Sequence, residues 1–117
     1  MPLPKTLVII TENPMESARP AEAVRIASGI GAWKKTEVSY LLLGEAVRVI
    51  ATDPFDFVDE DNFTRYLPMA LEGKRPFYVD SAFADWSALD GTQYPFEKIV
   101  KEDIPAIMAG FDRFIVM

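Results

Sequence analysis

The feature that most constrains this chain is a regular alternation of short apolar, β-branched runs with segments of helical periodicity. Five runs have the length and composition of strands, at 6–10, 38–43, 76–80, 96–100 and 113–117. Helical or turn-like segments separate them. Strands joined by helical crossovers pair in parallel. The order therefore predicts an α/β fold, a three-layer α/β/α sandwich with a five-stranded, mostly parallel sheet.

The two longer helical segments are recognised by apolar residues that recur every three or four positions. The first begins near Pro20, and we predict that its buried face consists of Ala23, Ile26, Ala27, Ile30 and Trp33. The second pattern runs over 63–71, but Pro68 lies inside it. We therefore expect a broken helix whose better half starts near Leu67.

Three shorter elements complete the pattern. We expect a helix over 45–51, a helix or turn over 82–89, and a helix that opens at Glu102 and ends at Gly110. Spacing predicts that the inward-facing residues of the two helices are Ala46, Val47, Ile50, Ile104, Ile107 and Met108. The sequence has no internal repeat, linker or low-complexity segment, so we expect a single domain over 1–117.

Two missing residue types limit the chemistry of the chain. It has no cysteine, which excludes disulfides, thiolate metal sites, persulfide carriers and cysteine nucleophiles. It has no histidine, the usual general base near neutral pH and the commonest metal ligand. A net charge of -6 argues against nucleic-acid and anionic-membrane partners. We expect no cofactor and no metal site.

Targeting signals are also missing from the sequence. The first residues lack the cationic start and long apolar stretch of a signal peptide, and the longest apolar runs, such as 40–43, have only strand length. We expect a cytoplasmic protein with no membrane partner.

Ligands of open parallel sheets bind beyond the carboxyl ends of the strands, so the polar residues at these positions are the candidates for a site. No catalytic residue is assigned. The candidate ligand-binding residues are Glu12, Asn13, Gly44, Asp80 and Ser81.

Known motifs do not extend this set. Residues 11–19 contain no glycine, which a dinucleotide site needs there, and no G-x-x-x-x-G-K sequence exists. A phospho-acceptor receiver domain would need a lysine after the fifth strand. The acidic loop 53–61 lacks the residue order of an EF-hand, and we interpret it as a solvated loop with aromatic residues tucked beneath it. Ser17 and Ser81 have no histidine to activate them.

Three stretches, 19–27, 38–47 and 103–114, together resemble the DsrE/DsrF-like family of small sulfur-relay proteins. The middle one combines a strand with the Gly44–Val47 run of glycine, acid, alanine and valine. The resemblance implies an α/β sandwich that assembles into trimers or hexamers. It also implies, for some members, a persulfide carried on a cysteine just after the third strand.

The chain departs from the family at that cysteine. The corresponding segment runs from Tyr78 to Trp86 and has Ser81 in its loop. A persulfide requires a thiol, and the hydroxyl of serine is too basic and too hard to hold sulfane sulfur. Sulfur transfer by this chain is therefore excluded even where the fold agrees.

Three hypotheses for function remain open. The first is a non-catalytic, thiol-free binding or scaffold subunit of a homo-oligomer. Its contacts would involve Phe55, Phe57, Trp86 and Tyr94, although ordinary core packing explains these aromatic residues as well. The second is a small-molecule sensor or enzyme with a pocket at the strand ends, in which Asp80 acts as a base rather than as a helix cap. The third is an inactive subunit paired with a thiol-bearing paralogue.

Overall fold

All five predicted strands are present and lie parallel in one sheet. The computed structural model describes residues 3–32, 36–53 and 56–117. Each predicted strand boundary holds to within one residue. The strands are β1 (Lys5–Ile10), β2 (Glu37–Leu42), β3 (Phe77–Asp80), β4 (Phe96–Ile99) and β5 (Arg113–Val116).

The strand order is β4-β3-β2-β1-β5. The chain adds β2, β3 and β4 one after another on one side of β1, and then returns to place β5 on the other side. In the register, Val8 of β1 pairs with Tyr40 of β2 and with Ile115 of β5. The predicted parallel sheet is confirmed, and β4 and β5 are its two edges.

The helices vary more in length and regularity than the strands. The α-helices are α1 (Arg19–Ala32), α2 (Glu60–Tyr66) and α3 (Ile104–Met108). Four segments form 3₁₀ helices instead, namely Gly44–Ile50, Leu67–Gly73, Trp86–Leu89 and Lys101–Asp103. No helix in the described part of the chain is long and apolar enough to cross a membrane.

The sheet has two unequal faces. The first face, which includes Val8 and Tyr40, is covered by α1, α2 and the 3₁₀ helix Gly44–Ile50, and it carries most of the core. On the second face, which includes Leu7 and Leu41, the described helical cover is α3 with the residues that flank it. As predicted, the buried residues of the Gly44–Ile50 helix include Ala46, Val47 and Ile50. The predicted inward residues of α3 pack on the second face and are partly buried.

The predicted buried face of α1 is wrong by a rotation of the helix. Ala23 and Ala27 are buried as expected, but Ile26 and Ile30 are only partly buried. The reason is that α1 packs against α2 as well as against the sheet, and Ser28 donates a hydrogen bond to the Tyr66 carbonyl at 3.0 Å. The buried face turns toward both neighbours and consists of Pro20, Ala21, Ala23, Val24, Ala27 and Ser28. Trp33 lies outside the described residues.

The break at Pro68 is confirmed, but the regular α-helix lies before the break and not after it. Residues 60–66 form the regular helix α2, and the chain from Leu67 to Gly73 is a 3₁₀ helix. Pro68 lacks the N–H that an α-helix would need at that position, so it occupies the first turn of a new helix, where no such donor is required.

The aromatic residues predicted for subunit contacts belong mainly to the core. Phe57 is 7% exposed and packs edge-on against Phe63, and Tyr94 is 8% exposed and packs edge-on against Phe77. Trp86 is partly buried and stacks on Phe96. The contact prediction is therefore wrong for Phe57 and Tyr94, because both rings cover the first face of the sheet. Phe55 lies outside the described residues.

Candidate functional site

The structure brings two of the five predicted residues together at the carboxyl end of the sheet. The side chain of Asp80, at the end of β3, accepts a hydrogen bond from the Gly44 N–H through Oδ2 at 3.0 Å. Its Oδ1 accepts a second hydrogen bond from the Ala82 N–H at 2.9 Å. Both carboxylate oxygens of Asp80 are therefore engaged by backbone donors of the same chain.

This contact explains how the 3₁₀ helix Gly44–Ile50 begins. Its N-cap residue is Leu43, whose side chain has no atom that could accept a hydrogen bond from the first turn. Asp80 supplies that acceptor from the neighbouring strand, and its negative charge also lies at the favourable, N-terminal end of the helix. The interpretation of Asp80 as a cap is correct in kind, but it caps the helix after β2 instead of the helix that follows β3.

Gly44 has a backbone conformation that other residues rarely adopt. Its φ is +56°, in the left-handed region, while a Cβ built at this position would meet nothing within 4 Å. The requirement for glycine is therefore one of backbone torsion and not of space. The turn at Gly44 aims its N–H at Asp80.

Replacing Gly44 by alanine should therefore destabilise the fold. We expect a loss of about 1 kcal/mol in the free energy of unfolding, because alanine must adopt the left-handed conformation. The matched control is Gly29→Ala in α1, where space is also free and φ is not positive. That substitution should stabilise the chain by about 0.5–1 kcal/mol. Urea unfolding of both variants measures the difference, and equal signs would contradict the conformational argument.

Ser81 is exposed, and its backbone N–H donates to the Ile99 carbonyl of β4 at 2.8 Å. Its side-chain hydroxyl makes no hydrogen bond with any residue that the structure describes. Among the residues that the structure describes, none is therefore positioned as a base to activate this hydroxyl as a nucleophile.

Glu12 and Asn13 are held within their own turn after β1. The Asn13 side-chain oxygen accepts a hydrogen bond from the Met15 N–H at 2.9 Å, which forms an Asx turn. Glu12 forms an ion pair with Arg19 at 3.5 Å, in which the Arg19 side chain is 68% exposed and the Glu12 side chain 41% exposed. No hydrogen bond or ion pair joins either residue to Asp80.

Sequence reasoning missed Arg48, which connects several side chains at the same carboxyl end of the sheet. Its guanidinium binds Glu45 at 2.9 Å and Asp85 at 3.1 Å, and it lies 5.3 Å from the centroid of the Phe83 ring. The Ser87 hydroxyl and Arg48 together lower the pKa of the Asp85 carboxyl. The Glu45–Arg48 spacing of three residues on a helix was visible in the sequence. Asp85 was not foreseeable, because it is 37 positions away.

A cavity of about 330 Å³ lies beside Arg48, between segments that follow β1, β2 and β3. Its lining includes Met15, Arg48, Asp53, Asp56 and Ser87, and none of the five predicted residues contributes to it. Across residues 3–32, 36–53 and 56–117, no group of three carboxylates converges as a metal site would require.

The described part of the acidic loop agrees with the sequence interpretation for one of its two aromatic residues, Phe57, and its last two residues, Glu60 and Asp61, begin α2. Phe57 is buried beneath it, while Asp56, Asp59 and Asp61 are exposed. The carboxylates of these three residues are therefore solvated.

Comparison with known proteins adds information about the fold. No protein-family model matches the sequence, and no curated protein sequence matches it. Among solved structures, the chain is similar to the crystal structure of the YchN protein from E. coli, with a TM-score of 0.75 and 12% sequence identity. The alignment covers 98% of this chain and 100% of YchN. At 12% identity this similarity concerns the fold alone, and it agrees with the α/β sandwich that the resemblance implied.

Proposed function

We propose that this chain is a non-catalytic, thiol-free protein of DsrE/DsrF-like fold that acts as a binding or scaffold subunit of a cytoplasmic homo-oligomer, a trimer or hexamer. The observation that carries the proposal is the incompletely covered second face of the sheet at β5. The hydrogen bonding of the residues at the carboxyl end of the sheet supports a non-catalytic role.

The second face is covered at its centre and open at one edge. Leu7 and Ile9 of β1 are buried beneath α3. Phe114 pairs with Leu7 and Val116 pairs with Ile9, so both β5 side chains project on the same face. They are 43% and 64% exposed. An apolar face that continues into solvent is a common mark of a protein interface.

The backbone of β5 is open at the same place. Met117 donates its N–H to the Ile9 carbonyl, and the Met117 carbonyl accepts from the Thr11 N–H. Because alternate residues of a parallel ladder bond to the neighbouring strand, the N–H and C=O groups of Phe114 and Val116 point away from β1. Exposed strand edges with apolar side chains pair readily with another strand.

A second copy of the chain fits this edge. Antiparallel pairing of two β5 strands about a two-fold axis through Ile115 places Phe114 of one copy opposite Val116 of the other. Both outward-facing residues then exchange backbone hydrogen bonds, and the four apolar side chains meet on one face. A hexamer with dihedral symmetry contains two-fold contacts of this kind.

The carboxyl end of the sheet supports a non-catalytic role. The chain contains no cysteine, Asp80 is held by two backbone N–H groups, and the Ser81 hydroxyl has no partner in the described residues. The alternative, a small-molecule sensor or enzyme with its site at the carboxyl end of the sheet, needs polar groups that are free to contact a ligand. The geometry favours the scaffold role, because both carboxylate oxygens of Asp80 accept hydrogen bonds from backbone groups of the same chain.

We expect the purified chain to sediment as an oligomer at micromolar concentration and Val116→Lys to shift it to smaller species. The lysine charge would be buried against apolar side chains in the contact and remain solvated in the monomer. Val100→Lys is the matched control, because Val100 is 46% exposed but follows the opposite edge strand, β4. Sedimentation velocity measures all three proteins.

Two results would contradict the proposal. A wild-type chain that is monomeric at all concentrations tested would remove the oligomer. Co-purification with a thiol-bearing paralogue from the native source would replace the homo-oligomer by a hetero-oligomer.

A ligand screen by thermal shift against nucleotides, flavins and small acids tests the alternative, a small-molecule sensor. A rise in melting temperature that Ser81→Ala abolishes would favour the alternative.

A further inference from the structure

A cleft of about 260 Å³ lies at the amino end of the sheet, where α1 ends and β2 begins. Its space is created by small residues on facing elements, Ala27 and Gly31 of α1 and Ala70 of the 3₁₀ helix Leu67–Gly73. None of the strand-end residues considered above lines it.

Two large apolar side chains line this cleft without being buried. Leu3 is 42% exposed and Met69 is 37% exposed, and both contribute to its lining. Isolated exposed apolar residues need no explanation, but two that meet at one concave surface are typical of a ligand-binding groove. The lining therefore favours a ligand with an apolar body.

Arg75 gives the cleft a fixed cationic group. Its Nε donates a hydrogen bond to the Val38 carbonyl at 3.0 Å. The guanidinium also lies close against Gly73, where a Cβ would come within 2.6 Å of its central carbon. The backbone acceptor orients the guanidinium, and the missing side chain of Gly73 leaves room for it. Arg75 is the one cationic side chain lining the cleft among residues 3–32, 36–53 and 56–117.

The two Nη groups of Arg75 are not used by the described protein. They donate no hydrogen bond to a described residue, and no described carboxylate lies within 4.0 Å of them. This is notable in a chain with 18 acidic and 12 basic residues. Glu37 and Glu72 also line the cleft, and yet neither forms an ion pair with Arg75.

We propose that this cleft binds a small organic carboxylate, with a single ring or a short aliphatic chain as its body. The planar fork of the guanidinium matches two carboxylate oxygens, and the apolar walls accept the body. The volume is at the small end of ligand pockets, which limits the size of that body. The negative charges of Glu37 and Glu72 disfavour a dianionic phosphate more than a monoanionic carboxylate. The inference is independent of the proposed oligomer.

The test is an NMR titration of the ¹⁵N-labelled full-length chain with hexanoate, benzoate, acetate, hexanol, hexylamine and phenyl phosphate. We expect saturable amide shifts at Gly31, Val38 and Gly73 with hexanoate and benzoate. Acetate lacks the body and hexanol lacks the charge, so each should bind at least about tenfold more weakly. Hexylamine and phenyl phosphate should bind more weakly than hexanoate or benzoate.

Three variants separate the roles of the charge and the cavity. Arg75→Gln should weaken hexanoate binding roughly ten- to hundredfold, the range of a lost charge-assisted hydrogen bond. Gly73→Ala keeps the arginine but displaces its guanidinium, and Ala70→Leu keeps the arginine but fills the cavity, so both should weaken binding. Arg113→Gln on β5 should leave it unchanged.

The proposal is overturned if hexanol and hexanoate bind equally, if the amide shifts do not saturate, or if these shifts centre on Gly44 at the carboxyl end of the sheet. Wild-type affinity in Gly73→Ala and Ala70→Leu would overturn it as well. These two variants decide the matter even where Arg75→Gln fails to fold, because they leave the charge in place.

Discussion

Replacing Asp80 by alanine is expected to lower the free energy of unfolding by about 2 kcal/mol. The substitution removes the acceptor at the start of the Gly44–Ile50 helix and the acceptor of the Ala82 N–H. Each loss costs about 1 kcal/mol, the typical value for a helix cap or a turn hydrogen bond. The effect is large for a domain of this size, whose total stability is of the order of 5–15 kcal/mol.

Asp80→Asn separates the two contributions. An amide has one acceptor oxygen and two donors, so it can satisfy one of the two backbone N–H groups but not both. We therefore expect a loss intermediate between wild type and Asp80→Ala. Ser81→Ala is the control, because the Ser81 hydroxyl makes no hydrogen bond within the described chain, and it should change stability little.

Urea unfolding measures all four proteins, at one protein concentration because assembly adds to apparent stability. If Asp80→Ala is as stable as wild type, Asp80 is not structural, and its carboxylate would have to be explained by a ligand instead. If Asp80→Asn loses as much as Asp80→Ala, charge at the helix end matters more than the number of acceptors.

The strands could be predicted from sequence because their signal is local. A run such as Leu7–Ile10 is apolar at successive positions, which is what burial on both faces of a parallel sheet requires. Their boundaries followed from the turn residues that flank them. The order of the strands was not accessible in this way, since nothing local distinguishes β5 beside β1 from β5 beside β4.

The faces of the helices were harder, because they depend on neighbours that are distant in sequence. The spacing in α1 favoured Ile26 and Ile30 as buried residues, whereas the contacts with α2 select smaller ones. Large apolar side chains at the border of a helix face remain partly exposed when small residues let the helix approach its neighbours closely.

The candidate site shows the same limit. The sequence predicted Gly44 and Asp80 at the carboxyl end of the sheet, and in the structure a hydrogen bond connects them. The contact with the Ala82 N–H is local, but sequence could not predict the contact with the Gly44 N–H, because 36 positions separate the two residues. The resemblance implies, for some members of that family, a persulfide on a cysteine at this end of the sheet. Here the corresponding loop holds Ser81, and the adjacent Asp80 stabilises the fold.

Tyr40 should make the stability of this protein fall steeply above about pH 10. The residue is 4% exposed and its ring stacks on Phe77 at 4.9 Å between centroids. Burial raises the pKa of the Tyr40 hydroxyl well above its usual range, and the nearby Ser28 offsets only part of this effect. Burial raises the pKa of Tyr94 in the same direction.

The sign follows from counting protons in the two states. Below about pH 10 the hydroxyl is protonated in both the folded and the unfolded chain, and stability does not depend on it. Above that pH the unfolded chain loses the proton while the folded chain retains it, so unfolding becomes more favourable as the pH rises. Each tyrosine retained in this way contributes a slope of about 1.4 kcal/mol per pH unit.

Tyr40→Phe should therefore reduce the alkaline slope by about 1.4 kcal/mol per pH unit. Tyr94→Phe should reduce it by less, because Tyr94 is less enclosed than Tyr40. The measurement is the free energy of unfolding in urea between about pH 9 and pH 11.5, combined with spectroscopic titration of tyrosinate in the folded protein. If Tyr40→Phe and wild type lose stability with the same slope, the Tyr40 hydroxyl ionises without unfolding. Water would then reach the first face of the sheet between α1 and β2, where Tyr40 also lines the cleft that contains Arg75.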